Sequence, residues 1–263
     1  MILGASYTTT SVSLGQLAGA LALVAVAIAV SFWRRAELEG DIAIAVARSF
    51  VQLTAVGYVI KLIFDADQAG FVVLLLAGMV LFGALTATRR ARKVPHPFWP
   101  LLVALSLAAA ATVGIVVGLG VFDATPRFMV PVGGMVIGNS MTAAAVALNR
   151  LGDEVEAGGR QIEATLALGA TSTQAAAPIV RRSLRSGMIA LIDSTKTTGV
   201  VFFPGTMVGS LLAGASPTAA VRLQLILLWV LLGAVALAGL IATTLAYRNF
   251  FTPAHQLRDP PAP

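Results

Sequence analysis

The chain has 263 residues, no cysteine and a formal charge of +6, with 57% of its residues hydrophobic and only 11% charged. Its mean hydropathy is +0.88, and a charged content less than half the roughly 25% of soluble domains excludes an ordinary soluble fold. Disulfides and thiolate metal sites are excluded too. The positive charge gathers at the ends of apolar runs, so it points to membrane topology and not to a nucleic-acid partner.

Seven apolar segments run over 13–32, 42–64, 71–88, 98–122, 128–148, 187–212 and 219–247. Each meets or approaches the roughly 20 residues that a helix needs to cross a bilayer. The fold class is therefore all-α: a polytopic membrane protein of about seven transmembrane helices forming one domain over 1–263. The first segment lacks the basic start and small-residue cleavage site of a signal peptide, so it reads as a permanent helix.

The cations sort by connection. Arg34 and Arg35 follow the first span, and Arg89, Arg90, Arg92 and Lys93 follow the third. Arg150, Arg160, Arg181, Arg182 and Arg185 lie between the fifth and sixth, and Arg248 and Arg258 follow the seventh. The opposite connections carry only Arg127, beside Asp65, Asp67 and Asp123. Thirteen against one predicts an outside N-terminus and a cytoplasmic C-terminus.

The connection over 149–185 is the only long one. Asp153, Glu154 and Glu156 suit a helix start, and Ile162, Leu166 and Gly169 follow at helical spacing. Gly169 reads as a stop, Thr171 or Ser172 as the cap of a second helix, and Pro178 as lying near its re-entry into the membrane. This predicts a helix–turn–helix under the bundle, which either presents a surface to a cytoplasmic partner or lies at the membrane interface as an amphipathic element with no partner.

Within the spans the polar residues are few. Arg48, Asp193 and Lys196 are predicted at similar depth in the second and sixth spans, where they form a buried three-charge cluster that either staples helices or lines a cavity. Gln52 and Asn139 are pathway or bridging candidates. Gly134–Gly138 and Gly205–Gly209 are GxxxG pairs suited to close helix packing, and Pro204-Gly205 can kink or break the sixth span. Met135, Met141 and Met207 are weak candidates for soft metal ligands. Lys61 and Arg222, near the outer ends of their spans, are expected to snorkel.

"EATLALGATSTQAAAPI" has the spacing of the coupling motif of ABC-transporter permeases, at Glu163, Ala164, Thr165, Gly169 and Ile179, with Arg181 and Arg182 where the motif's closing Leu-x-Pro would stand. Together with "ARSFVQLTAVGYVIK", "VPVGGMVIGNSMTAAAVALNRL" and "LIDSTKTTGVVFFPGTMVGSLLAG", it resembles the FetB-type permeases of the UPF0014 family over about residues 34–248. The segment "FFPGTM" departs from the family pattern at Phe203 and Thr206.

The resemblance implies a permease subunit of an ABC transporter in the inner (cytoplasmic) membrane, exporting iron or another metal. It also implies a homodimer driven by a separate FetA-type ATPase, with Arg160, Glu163, Leu166 and Gly169 at the joint. On that reading the chain is no enzyme, has no catalytic residues and binds no cofactor, because ATP and Mg belong to the partner. The absence of a Gly-x-x-x-x-Gly-Lys-Ser/Thr loop agrees. An anionic or sugar-nucleotide cargo, or a stand-alone secondary transporter or channel, stays open. A membrane-embedded enzyme fits poorly, since His96 and His255 fall in connections and no acid pair exists.

Overall fold

The computed structural model describes residues 13–66, 69–121 and 123–258, without the side chains of residue 14, residues 61–66 and residue 69. Lys61, Asp65 and Asp67, read above as outer-end charges, lie outside the described residues or side chains. The described residues form helices joined by turns, with two isolated β-bridges and no strand. The chain divides into two compact units, Met1–Asp67 and Gln68–Pro263.

The first unit holds two helices joined by a short turn, α1 (Leu14–Arg34) and α2 (Glu39–Ala66). Ser13 caps α1 by accepting from the Gln16 amide, and Gln16 returns the bond to the Ser13 amide. Such reciprocal caps satisfy two of the amides a helix start leaves unpaired. Arg35 at φ 53 ends α1. The turn is then held by Ser31, whose hydroxyl donates to Glu39 at 2.8 Å and accepts from the Leu38 amide at 3.0 Å. Both helices carry mostly exposed apolar side chains, as a lipid or partner environment requires.

The second unit holds α3 (Ala69–Arg90), α4 (Phe98–Gly118), α5 (Pro126–Ala167), α6 (Ser172–Thr197), α7 (Gly205–Leu212) and α8 (Pro217–Ala246), closed by a 3₁₀ turn over Tyr247–Phe250. α5 is the central element and packs on α3, α4, α6 and α8. The shared core is built largely from small residues, including Ala84, Ala87, Ala104, Ala144 and Ala242. Without a hydrophobic drive between helices in lipid, such residues allow the close backbone approach that dispersion needs. One such approach to backbone is at Gly187, where an added Cβ would stand 2.5 Å from the Ala143 carbonyl oxygen.

Among the described residues, six helices are long and apolar enough to cross a membrane: α1, α2, α3, α4, α5 and α8. The predicted sixth span over 187–212 is not one helix. α6 stops at Thr197, an irregular segment follows over 198–204, and α7 resumes at Gly205. The local chemistry explains the break: β-branched Thr197, Thr198, Val200 and Val201 crowd a helix, Gly199 takes φ +85, and Pro204 brings no amide to continue the ladder.

A second difference concerns the 149–185 connection. Its first helix does not start afresh at Asp153; α5 runs unbroken for 42 residues, from the apolar span through to Ala167. At 1.5 Å per residue its polar part, from residue 149 onward, extends about 28 Å beyond the apolar stretch. Gly169 at φ +89 ends it. Thr171 caps α6 reciprocally with Gln174, and Pro178 sits inside α6.

Candidate functional site

Two places in the second unit combine polar chemistry with an organised backbone: the polar hairpin of α5 and α6, and the broken α6–α7 segment.

The hairpin is cross-braced through Glu154. Its carboxylate, 14% exposed, accepts from Arg150 at 2.5 Å one turn back on α5 and from Arg182 of α6 at 2.7 Å. Arg182 adds a second bond through Nε at 2.9 Å. These hydrogen bonds, chiefly from Arg182, hold the Glu154 carboxyl below the usual carboxylate range against the opposing effect of its partial burial. Between the two helices lies a groove of about 310 Å³, lined by Gln161, Thr165, Gln174, Pro178, Arg182 and Glu154 among others.

The neighbouring connections are tied to this hairpin. Lys93, after α3, reaches Asp153 at 2.8 Å and Glu156 at 2.9 Å, and those two carboxylates raise the Lys93 ammonium above its ordinary value. Gly152 permits the approach, since a Cβ there would lie 2.5 Å from the Lys93 Cβ. From the C-terminal side, the Tyr247 hydroxyl bonds Thr173 at 3.0 Å, and His255 Nδ1 lies 2.9 Å from the Ser172 hydroxyl. Asn249 donates to the Pro95 carbonyl at 2.8 Å. The connection after α3, the α5–α6 hairpin and the C-terminal segment therefore meet at one end of the unit.

Beyond these braces the turn at 167–171 projects, with Leu168 88% exposed. Arg160, Glu163 and Gly169 are exposed beside it, whereas Leu166 is turned inward against the core. The sequence reading chose Leu166 as the apolar contact of this region; the structure presents Leu168. Helical periodicity alone favours Leu166, and only the position of the αL residue at Gly169 shows that Leu168 has left the helix face. Glu154, Lys93 and the C-terminal contacts were also missed as organising groups. Their partners lie up to 154 residues away, beyond any local pattern.

At the broken segment Asp193 and Lys196 form an i,i+3 pair at 3.5 Å, with side chains 63% and 70% exposed. Both were predicted as buried; in the structure they stand on the surface of this unit. Arg48 and Gln52, the other charged and polar candidates, belong to α2 of the first unit. Asn139 is exposed on α5 and its amide donates to the Met135 carbonyl at 2.8 Å. α7 is attached through Thr206, whose hydroxyl donates to the buried Gln224 of α8.

The remaining candidates fall in different settings. An added Cβ at Gly134 would come within 2.9 Å of Met79, so that position is a packing contact. Gly138, Gly205 and Gly209 meet nothing within 4 Å, and Pro204 occupies the N-cap of α7. Met135 packs with Ala143, Leu231 and Val235, Met141 packs on the main core and Met207 is buried on α7. The three thioethers belong to separate packing environments, and among the described residues no group of three or more His, Cys, Asp or Glu could hold a metal ion.

The chain matches the family described as "Uncharacterised protein family (UPF0014)" over residues 14–251. It is similar to the UPF0014 membrane protein STAR2 of Oryza sativa subsp. japonica, at 40% identity over 91% of this chain and 84% of that protein. To the "Probable iron export permease protein FetB" of Escherichia coli it is 37% identical, over 92% of this chain and 93% of that protein. To "Protein ALUMINUM SENSITIVE 3" of Arabidopsis thaliana it is 36% identical, over 92% and 88%. No solved structure matches. With a match across nearly all its length and relatives covered almost end to end, the chain belongs to the UPF0014 family of membrane proteins.

Proposed function

We propose that this chain is the membrane-spanning permease subunit of an ABC transporter that exports a metal ion. It works as a homodimer in the inner (cytoplasmic) membrane with a separate cytoplasmic ATPase that carries the ATP and Mg. The observation that carries the reading is the braced hairpin. A 42-residue helix leaves its apolar stretch as a rigid polar arm, ends in an exposed apolar turn at Leu168, and returns through α6 to the broken segment beside Asp193. A push on the turn is delivered along two helices to the last turn of α6, where Asp193 stands.

Orientation follows from charge. The three connections gathered at the braced end are the arginine- and lysine-rich ones, and such connections stay on the cytoplasmic side. α6 and α7 together then supply a discontinuous seventh crossing, with the N-terminus outside. Discontinuous helices of this kind recur at transporter binding sites because their unwound backbone is tolerated only where water or cargo satisfies it. The name of the bacterial relative supports iron as cargo, and that of the plant relative links its protein to aluminium.

The test is co-expression with the UPF0014-associated ATPase and tandem purification. The reading expects a stable complex whose ATPase activity rises when metal is supplied. A chain that moves metal in vesicles with no ATPase bound would point to a stand-alone transporter instead.

A further inference from the structure

Past the α6–α7 break, the chain continues in a helix that is lightly held. Of the eight residues of α7 only Met207 is buried, and a Cβ added at Gly205 or Gly209 would meet nothing within 4 Å. α7 packs on α8, and the turn between them is well made. The Gly214 amide donates to the Leu211 carbonyl and the Ala215 amide to the Ser210 carbonyl, both at 3.0 Å. Gly214 takes φ +87, and Ser216 caps α8 directly afterwards. α7 therefore lies back along α8 as the short arm of a hairpin. Its far end, about 10 Å from the turn, is fastened by a hydrogen bond from the Thr206 hydroxyl to the Gln224 amide oxygen.

The connection to α6 holds length in reserve. Between Thr197 and Pro204 the chain doubles back: Thr198 pairs with Phe202 in an isolated bridge, and the Gly199 amide donates to the Phe202 carbonyl at 2.9 Å. Extended, the four steps from Thr198 to Phe202 would cover about 13 Å, against about 5 Å for a bridged pair. Val200, Val201 and Phe203 are more than half exposed, so opening this turn gives up little packing within the unit. The joint also lies far from the braced hairpin. α7 rests on the N-terminal part of the 30-residue α8, whereas the other end of α8 leads into Tyr247 and its bond to Thr173.

The bond at Thr206 decides when α7 can lift. Gln224 is 6% exposed and stands in an apolar helix, where an amide parted from its partner is costly. Thr206 and Gln224 can separate only where water or cargo satisfies both groups. Lifting of α7 and entry of water into the crossing are then one event. We propose that α7 is a hinged gate at the end of the second unit away from the braced hairpin. It is closed by the Thr206–Gln224 bond and the burial of Met207, and it swings on the Gly214 turn while the 198–204 connection unfolds to supply length. This rests on the transport reading above and assigns the place where cargo leaves the broken crossing.

Because the chain has no cysteine, Met207→Cys places a single thiol under the gate, and its rate of reaction with a water-soluble maleimide reports opening. The full chain is labelled in detergent, without ATPase or cargo. Adding Thr206→Val should quicken labelling about fivefold or more, the factor a lost buried hydrogen bond is worth, while Thr206→Ser keeps the slow rate. Val235→Cys, 1% exposed deeper on α8, should label equally slowly with and without Thr206→Val. Labelling of Met207→Cys that ignores Thr206→Val, or Val235→Cys quickening in step with it, would overturn the gate, the latter because a mere staple loosens the whole bundle. A second measurement decides where the Thr206→Val chain does not fold. In vesicles holding the chain with its ATPase, joining Thr206→Cys to Gln224→Cys through a short bis-methanethiosulfonate linker should stop Fe(II) movement, and reduction should restore it. Movement through the linked chain would overturn the gate. Absence of Fe(II) movement in wild type would instead count against the transport reading, and the labelling, which needs neither ATPase nor Fe(II), tells the two failures apart.

Discussion

Replacing Gly187 with alanine tests the register of α5 against α6. The new Cβ would stand 2.5 Å from the Ala143 carbonyl oxygen and 2.9 Å from the Ala147 Cβ. Neither neighbour can swing away, because one is backbone and the other is fixed to it. Ordinary contact begins near 3.4 Å, so α5 and α6 must separate by nearly 1 Å at their crossing. A gap of that size forfeits a quarter to a half of each dispersion well along the seam, and overpacking of this kind costs about 1–3 kcal/mol. The better helix propensity of alanine offsets at most about 1 kcal/mol. Gly114→Ala on α4, where a Cβ meets nothing within 4 Å, carries the propensity gain without the clash. Melting in detergent, followed by intrinsic fluorescence, should place Gly187→Ala roughly 3–10 °C below Gly114→Ala, taking about 2–4 °C per kcal/mol for a chain of this size. Equal melting temperatures for the two variants would show that α5 and α6 do not cross at Gly187.

Other consequences follow from the same contacts. Glu154→Gln removes the charge that joins α5 to α6 and should lower the melting temperature by roughly 2–4 °C, since its arginine partners are half exposed and such pairs contribute about 1 kcal/mol. Because the Glu154 carboxyl is held below its ordinary range, the pairing is fully present above that range and is lost as pH falls through the lowered value. The wild-type advantage over Glu154→Gln should therefore shrink in acid and persist at neutral pH, as melting across a pH series would record. Thr206→Val leaves the buried Gln224 without its partner and should cost about 1–3 kcal/mol, read as a lower melting temperature, with Thr206→Ser restoring it. His255→Ala removes the contact with Ser172, and amide exchange at residues 172–175 should quicken while that at the α5 core stays slow.

Much of the fold was legible in composition and charge, because a bilayer imposes length and polarity rules that one chain displays openly. The stop at Gly169 and the cap at Thr171 were also readable, being local chemistry. Two features were not. The continuity of α5 was hidden because Asp153, Glu154 and Glu156 resemble a helix start, yet they serve as mid-helix partners for Lys93 and Arg182, whose identity no window of sequence reveals. The break after Thr197 was half visible: Pro204 and Gly205 marked a kink, but hydropathy across 187–212 masks the run of β-branched residues and the αL demand at Gly199. At the candidate sites, exposure was the missing quantity. Periodicity favoured Leu166 over Leu168, and desolvation arguments placed Asp193 and Lys196 in a buried cluster where the second unit leaves them open.

The central claim is that the hairpin turn receives a cytoplasmic ATPase. Because the chain has no cysteine, Leu168→Cys introduces a single thiol at the projecting turn, and Ala124→Cys gives a control in the connection between α4 and α5. With the ATPase co-expressed, a short thiol–amine cross-linker should join it to the chain through position 168, in a yield that changes with ATP, and leave position 124 unlinked and reachable by impermeant reagents from outside the cell. Labelling of position 168 from outside, or its failure to cross-link while the complex still co-purifies, would contradict the account.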